Sequence, residues 1–283
     1  MKNQSKEIKE NYFTNTLSRG LQVLSAFTPQ KPGLSISEIT ELTGLPQSTT
    51  FRLVYTLENL GYLIRDQETR KYHHSSRMLA IGIAALESLD IRKVALPFMQ
   101  TLSQGVNETV KLGILDGVEV VILASVVVPD KLSIPTPIGH RWPVYCSSLG
   151  KAMLAFQLPD KRDKIITAIE FKPRTARTIV DPVEFKDHLR LTRERGYSIV
   201  EEELIAGMGS IAAPIFDHNG DVIAAIDIST LRFGPEMHNN QDRLIQELIQ
   251  CAKLISKSLG YSEDKLPEPV KGFRRKEDSP NGM

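Results

Sequence analysis

Residues 42–61 read LTGLPQSTTFRLVYTLENLG, and this stretch decides the fold of the first part of the chain. Gly44 favours a turn, and Pro46 suits the first position of a helix, because the N–H that proline lacks would have no partner there. Apolar residues then recur at helical spacing until Gly61, which predicts a helix over about residues 46–59. The side chains that should face a core are Leu53, Val54, Leu57 and Leu60.

Two further helices are predicted before this stretch, and a hairpin is predicted after it. Residues 14–28 carry apolar side chains at helical spacing, and residues 35–43 form a shorter amphipathic segment. Two strand-like runs, 62–65 and 70–73, flank the polar turn 66–69. The core-facing residues expected from the first helix are Leu17, Leu21, Leu24 and Phe27. Three helices followed by a hairpin are typical of a winged helix-turn-helix.

The period of the apolar pattern changes to two in the second part of the chain. Runs 109–115 and 119–127 are typical of strands, and Asp116-Gly117 between them is a strong hairpin signal. Further helical patterns lie at about 147–157, 159–170, 182–195 and 238–259, and further strand-like runs at 198–202, 210–216 and 222–229. Strands mixed with helices predict an α+β fold with a largely antiparallel sheet.

These patterns divide the chain into two domains. We predict a winged helix-turn-helix domain at residues 14–76, a linker helix at 77–95, and a second domain at 96–260. Pro97 should start a new helix or kink the one that precedes it. The polar, charged tail at 261–283 is predicted to be disordered.

Composition excludes several classes of protein. The 283 residues are 41% hydrophobic and 24% charged, and no apolar run approaches the roughly 20 residues that span a bilayer. The polar start of the chain carries no visible leader, which predicts a cytoplasmic protein with no membrane partner. Cys146 and Cys251 are far apart, and His73 and His74 point to opposite faces of a strand, so we predict no disulfide, metal or cofactor.

Charge is distributed unevenly along the chain, although the net charge is only +1. Residues 1–77 contain ten Lys and Arg against seven Asp and Glu, a net charge of +3. This mild excess permits phosphate binding without demonstrating it.

Two separate sets of motifs resemble the IclR family, the isocitrate lyase regulator type. The N-terminal set reads LSRGLQVL at 17–24, SEI at 37–39, TGLPQSTTFRL at 43–53 and LENLGYL at 57–63. The C-terminal set comprises SSLGKAML at 147–154 together with Gly196, Glu203, Ser210, Ile211, Ala212, Ile215, Phe216 and Asp217. The resemblance covers roughly residues 14–259. It implies a DNA-binding winged helix-turn-helix joined to a GAF-like α/β domain that binds an effector.

Finer similarity points to one branch of that family. WPVYCSSLGK at 142–151, GYSIVEEEL at 196–204 and AAIDIST at 224–230 resemble regulators of aromatic-acid breakdown, which respond to hydroxybenzoates, protocatechuate or β-ketoadipate. One position departs from the family pattern. Val200 stands where the signature has Asp or Ser, a group that contributes polar contacts in members that sense small keto acids. The ligand of those members therefore does not transfer.

The DNA-binding residues are expected near the start of the 46–59 helix, because a helix in the major groove presents its N-terminal residues to base edges. Gln pairs with adenine and Arg with guanine, whereas cations elsewhere suit phosphates. The candidates are Arg19, Gln47, Ser48, Thr49, Thr50, Arg52, Arg70 and Lys71. The alternative is a merely polar helix start, with Arg52 on a solvated face.

The expected DNA partner is a double-stranded palindromic operator, bound by a homodimer or a dimer of dimers. Apolar positions along Met78–Leu89 are candidates for the interface between copies, although they could equally pack on their own domain.

The second domain should hold a small organic acid. The residues implied by the family resemblance are Ile134, Trp142, Ser148, Leu149, Met208, Ser210, Asp227 and Ser229. A helix start near Ser147 suits a carboxylate, whereas Asp227 would repel one unless it meets a hydroxyl or a cation. A hydroxylated aromatic acid satisfies both features. The alternative is that the apolar members of this set are simply core and that Ser210 satisfies its own backbone.

An enzyme is not expected, since the sequence contains no Gly-x-Ser-x-Gly, phosphate loop or His-Glu-x-x-His motif. The sequence therefore predicts a transcription regulator controlled by an effector. The competing interpretations are an enzyme and a DNA-binding oligomer that responds to no ligand.

Overall fold

The computed structural model describes residues 13–28, 30–87, 90–129, 134, 136–230 and 235–262. The chain forms two compact units, Met1–Ser88 and Leu89–Met283. Most of the predicted tail, residues 263–283, lies outside the described residues, as do the first twelve residues and Pro29. Among the described residues, no helix combines the length and apolarity needed to cross a membrane.

The first unit is the predicted winged helix-turn-helix. Its described elements are α1 (Asn15–Ser25), α2 (Ile36–Thr43), α3 (Gln47–Asn59), β1 (Leu63–Arg65), β2 (Tyr72–His74) and α4 (Ser76–Glu87). The two strands pair in antiparallel register, with Ile64 opposite His73. The predicted linker at 77–95 therefore covers most of α4 and continues beyond the first unit.

Local signals fix the helix-turn-helix itself. The Ser35 hydroxyl accepts a hydrogen bond from the Glu38 amide at 3.3 Å, and the Glu38 carboxylate accepts one from the Ser35 amide at 2.7 Å. This reciprocal pair starts α2 by satisfying two of its free N–H groups. Gly44 ends α2 with a φ of +67°, which glycine adopts without strain. Pro46 caps α3 rather than occupying its first position.

The core of the first unit differs from the predicted set. Its buried members are Val23, Phe27, Leu34, Ile39, Val54, Leu63 and Tyr72. Leu17, Leu21 and Leu60 are instead 63%, 55% and 51% exposed. The prediction that these three leucines face the core was wrong. On α1 the residues that reach the core are Val23 and Leu24, and Leu60 lies just beyond the end of α3.

The second unit is an α+β domain with an antiparallel sheet, as predicted. Its described elements are α5 (Asp90–Val106), β3 (Thr109–Asp116), β4 (Glu119–Val126), β5 (Arg141–Pro143), α6 (Ser148–Phe156), α7 (Pro159–Ala168), α8 (Pro182–Arg195), β6 (Ser198–Glu201), β7 (Gly209–Phe216), β8 (Val222–Thr230) and α9 (Pro235–Ser258). The described strands lie in the order β5-β4-β3-β8-β7-β6, all antiparallel.

Helices cover both faces of this sheet. The face that carries Val110, Ile211 and Ile226 packs against α5 and α9. The opposite face packs against α6 and α8 and carries Val120 and Ala212. Because successive side chains of a strand alternate between faces, residues adjacent to the first set point towards α6.

Two details depart from the predicted elements. Pro97 lies inside α5, which begins at Asp90, so of the two predicted alternatives Pro97 does not start a new helix, and a kink at Pro97 stays a prediction. Strand β5 was not predicted, since a three-residue strand carries too little periodicity to detect. It pairs with β4 and brings Trp142 opposite Val120 at one edge of the sheet.

Candidate functional site

Helix α3 has one face in the core of the first unit and one face exposed. Thr50 and Val54 are fully buried, whereas Ser48, Arg52 and Tyr55 lie on the exposed side. The exposed positions recur at a spacing of four and three residues, which is one face of a helix. This face is available to a DNA groove.

Thr50 corrects the predicted set of DNA-binding residues. Its side chain has no exposed surface, and its hydroxyl donates a hydrogen bond to the Pro46 carbonyl at 3.3 Å. Thr50 therefore stabilises the start of α3 from inside and does not face a groove. Thr49 is half-buried, and Gln47 is exposed.

Two aromatic side chains on α3 were missed by the sequence analysis. Phe51 is 54% exposed and Tyr55 is 59% exposed, and their rings are nearly parallel with centroids 6.4 Å apart. A ring on this face can contact a thymine methyl group or a sugar. Tyr55 shares a helix face with Ser48 and Arg52, so helical spacing counted from Ser48 was the signal that could have found it.

The hairpin places the predicted phosphate-binding cations in different settings. Arg70 is exposed and adopts a φ of +61° next to the turn. Lys71 is held by an ion pair, with its Nζ 3.1 Å from Oε1 of Glu38. The amide and hydroxyl of Ser35, with Lys71, lower the pKa of Glu38 to about 2. The Lys71–Glu38 ion pair thus links the hairpin to α2. The third predicted cation, Arg19, is exposed on α1.

A buried polar cluster lies on the α6 face of the sheet in the second unit. Lys111 on β3 stands opposite Asp227 on β8, and the Lys111 amide donates to Oδ1 of Asp227 at 3.2 Å. The Ser229 hydroxyl donates to Oδ2 of the same carboxylate at 3.0 Å. All three residues are at least 93% buried.

The Lys111 ammonium is the member of this cluster that the sequence analysis missed. Its Nζ donates to the Ser229 hydroxyl at 2.7 Å and lies 5.4 Å from the centre of the Trp142 ring. Lys111 is only 2% exposed. A lysine between two core residues, Val110 and Leu112, was the available signal, since charged side chains are rarely buried without a reason.

Helix α6 begins beside the same carboxylate. The Ser148 hydroxyl donates to Oδ2 of Asp227 at 3.5 Å, and the Ser147 hydroxyl caps the helix by accepting from the Gly150 amide at 3.1 Å. Burial raises the pKa of Asp227, while Lys111 and the hydroxyl of Ser229 act in the opposite direction. The site therefore combines a helix N-terminus, a cation and a carboxylate.

Of the remaining predicted effector residues, Trp142 and Ser210 adjoin the polar cluster, and the others lie in the apolar core of the same face. Trp142, Leu149 and Met208 belong to one buried apolar cluster, and Ile134 packs against it. Ser210 on β7 stands opposite Ser229 and is 4% exposed. Val200 pairs with Ser210 from β6, so the departure from the family signature places an apolar side chain beside the site.

Two family models together match most of the chain. The model described as the IclR helix-turn-helix domain matches residues 16–67, and the model described as the bacterial transcriptional regulator IclR C-terminal matches residues 83–257. The chain belongs to the IclR family. It is a DNA-binding transcription regulator.

Individual relatives agree with this assignment. The Pca regulon regulatory protein of Pseudomonas putida is 33% identical over 219 residues, which are 77% of this chain and 75% of that protein. A putative transcriptional regulator from Rhodococcus sp. RHA1 is 32% identical, with a TM-score of 0.74 over 87% of this chain and 98% of that one. An IclR homolog from Microbacterium hydrocarbonoxydans, solved in complex with 4-hydroxybenzoate, is 27% identical, with a TM-score of 0.74 over 87% of this chain and 99% of that one.

A buried ion pair in this IclR-family chain joins α6 to the turn after β6. The Lys151 Nζ lies 2.5 Å from Oε1 of Glu203, and the two side chains are 1% and 6% exposed. Burial raises the pKa of Glu203 and lowers the pKa of Lys151. Oε2 of Glu203 is buried without a hydrogen-bond partner among the described residues. The pair therefore holds α6 and the turn after β6 together.

Proposed function

We propose that this IclR-family regulator binds a hydroxylated aromatic acid in its second domain and that the bound acid alters operator binding. One observation carries the proposal. Ser148 and Ser229 are hydrogen-bonded to the buried Asp227 carboxylate, and the Lys111 ammonium is hydrogen-bonded to Ser229. A small-ligand site needs apolar walls and a few convergent polar groups, and this cluster has both.

The two ends of such a ligand match the two kinds of polar group. A carboxylate suits the start of α6, because free N–H groups and the helix dipole favour an anion there. A phenolic hydroxyl suits Asp227, which accepts hydrogen bonds. The aromatic body would lie against Trp142 and Leu149. The names of two relatives, one a Pca regulon regulator and one bound to 4-hydroxybenzoate, support the same ligand class.

Base readout is assigned to the exposed face of α3. We propose that the base-contacting residues are Gln47, Ser48, Thr49 and Arg52. Phosphates would be contacted by Arg19 and Arg70, and by Lys71 only if its ion pair with Glu38 breaks.

A ligand changes DNA affinity only if it binds two conformations of the protein with different affinities.

Two recognition helices must act together, so we propose a homodimer or a dimer of dimers on a palindromic operator. Helix α4 exposes Leu79, Ile81 and Ile83 at 63%, 52% and 44%, and α1 exposes Leu17 and Leu21. Exposed apolar patches of this kind mark surfaces that pair. We propose that a second copy of this chain packs against these apolar residues, because a two-fold operator is bound by two copies of the protein.

The test mixes the purified protein with its own upstream promoter DNA and measures affinity with and without a panel of acids. We expect two copies per operator and a shift in affinity at micromolar 4-hydroxybenzoate or protocatechuate. The panel is analysed afterwards for conversion, because a regulator should leave its effector unchanged. Binding to DNA that no compound alters would reject the ligand proposal, and turnover of a compound would favour an enzyme.

Arg52→Ala should reduce the preference for operator over random DNA by about 1–3 kcal/mol, because an arginine that pairs with guanine carries sequence information. The measurement is a competition titration with operator and scrambled DNA at one salt concentration. The matched control is Arg70→Ala, which removes an exposed cation from the hairpin and should weaken both DNAs alike. Equal discrimination by wild type and Arg52→Ala would contradict the assignment.

A further inference from the structure

We propose that Lys111 is the anion anchor of the ligand site and restricts it to ligands with a single negative charge. This inference rests on the proposed effector function and names the residue and the charge that select the ligand. None of the effector residues expected from the sequence is a cation, so this role is new to the site.

The first step is the incomplete bonding of the Lys111 ammonium. An ammonium carries three donors. The described residues supply one acceptor, the Ser229 hydroxyl at 2.7 Å, and the face of the Trp142 ring. No carboxylate oxygen among the described residues lies within ion-pair distance of this Nζ. At least one donor of this ammonium therefore has no acceptor among the residues that the structure describes.

The second step is the position of the nearest carboxylate. Asp227 meets Lys111 through the lysine amide at 3.2 Å and through Ser229, not through the ammonium itself. A lysine and an aspartate placed opposite each other for mutual stabilisation would pair directly, because burial of each charge is unfavourable without close contact. The indirect arrangement keeps the ammonium available to a ligand while the buried charges balance.

The third step is convergence with α6. Ser148 at its first turn is hydrogen-bonded to Asp227, and the Lys111 ammonium reaches the same carboxylate through Ser229, so the positive end of the helix and the ammonium both lie near Asp227. Both features attract one anionic group. A second anionic group on the ligand would have to approach Asp227, which repels it. The site should thus accept a flat monocarboxylate and reject a dicarboxylate.

The experiment compares three probes by isothermal titration: 4-hydroxybenzoate, its uncharged analogue 4-hydroxybenzamide, and adipate. Trp142 is the only tryptophan in the sequence, so its fluorescence, excited at the red edge, reports binding at this site independently. We expect wild type to bind the acid at least tenfold more tightly than the amide and to bind adipate more weakly than the acid.

The variants separate charge from structure. Lys111→Met should lose at least tenfold in affinity for 4-hydroxybenzoate while its affinity for the amide stays the same. Lys111→Gln keeps a donor for Ser229 and decides the question if the methionine variant does not fold. The matched control, Lys161→Met, removes an exposed lysine of the same domain and should leave all three affinities unchanged.

The outcomes distinguish this proposal from the proposed function. A folded Lys111 variant that retains the wild-type preference for the acid over the amide would overturn the anchor and leave the effector function intact. Wild type that binds adipate as tightly as 4-hydroxybenzoate would overturn the selection of one charge. Wild type that binds none of the probes would overturn the ligand class and, with it, the anchor.

Discussion

Lys151→Met should lower the free energy of unfolding of the second domain by about 3–5 kcal/mol, the range found when one partner of a buried ion pair is removed. The methionine fills nearly the same space, so packing changes little. Glu203 would be left buried without its cation, and its Oε2 already has no hydrogen-bond partner among the described residues. Urea denaturation followed by circular dichroism measures the loss.

The double variant Lys151→Met/Glu203→Leu is the control for this prediction. Replacing both members of a buried pair with apolar residues is often neutral or stabilising, so the double variant should recover most of the lost stability. A double variant that is as unstable as the single one would show that packing around Lys151, and not the unpaired carboxylate, is responsible.

The stability of Lys151→Met should also depend on pH in a defined direction. Burial raises the pKa of Glu203 above its ordinary value of 4.5, and loss of the nearby ammonium raises it further. The folded variant then holds a proton that the unfolded chain has released, so its stability falls as the pH rises above the unfolded value. The deficit relative to wild type should therefore be larger at pH 8 than at pH 5.

Gly150→Ala should destabilise the second domain by about 3 kcal/mol, at the upper end of the usual effect of overpacking. A Cβ atom at Gly150 would lie 2.3 Å from the Val144 carbonyl oxygen, 2.6 Å from the Val144 Cα and 2.7 Å from the Ser147 hydroxyl. Two of these atoms are backbone and cannot rotate away. Helix α6 would have to move at the turn that carries Ser148, so ligand affinity should fall with stability.

Gly82→Ala is the matched control, because Gly82 also lies within a helix but has open space around its Cβ position. It should stabilise the protein by about 0.5–1 kcal/mol, since alanine has the higher helix propensity. Thermal melting measures the stability of both variants, and titration with 4-hydroxybenzoate measures their ligand affinity. Wild-type stability in Gly150→Ala would mean that α6 tolerates displacement from the Val144 turn.

Local sequence signals were sufficient for most of the fold. The amphipathic pattern at 35–43, the Gly44 turn and the apolar period of α3 are each set by residues within one or two helical turns. Asp116-Gly117 likewise gave the β3–β4 hairpin, which pairs Asp116 directly with Glu119. Such features are readable because the contacts that stabilise them are close in the sequence.

The predicted effector residues came from the family resemblance and stay a prediction, but the structure places two of them, Asp227 and Ser229, on the α6 face of the sheet. Alternation explains why: Asp227 and Ser229 lie one position from the core residues Ile226 and Ile228, so both point towards α6. Strand β5 and Lys111 were not found. A three-residue strand and a single lysine carry no periodic signal of their own.

The sequence alone determined the element types, the winged helix-turn-helix, the antiparallel α+β domain and the family. Tertiary structure alone decided which polar and apolar side chains face solvent. It buried Thr50 on α3 and exposed Leu17 and Leu21 on α1. It also brought Lys111 to Asp227 across 116 residues of chain. The physical reason is that burial and strand register depend on partners distant in the sequence, which no local pattern encodes.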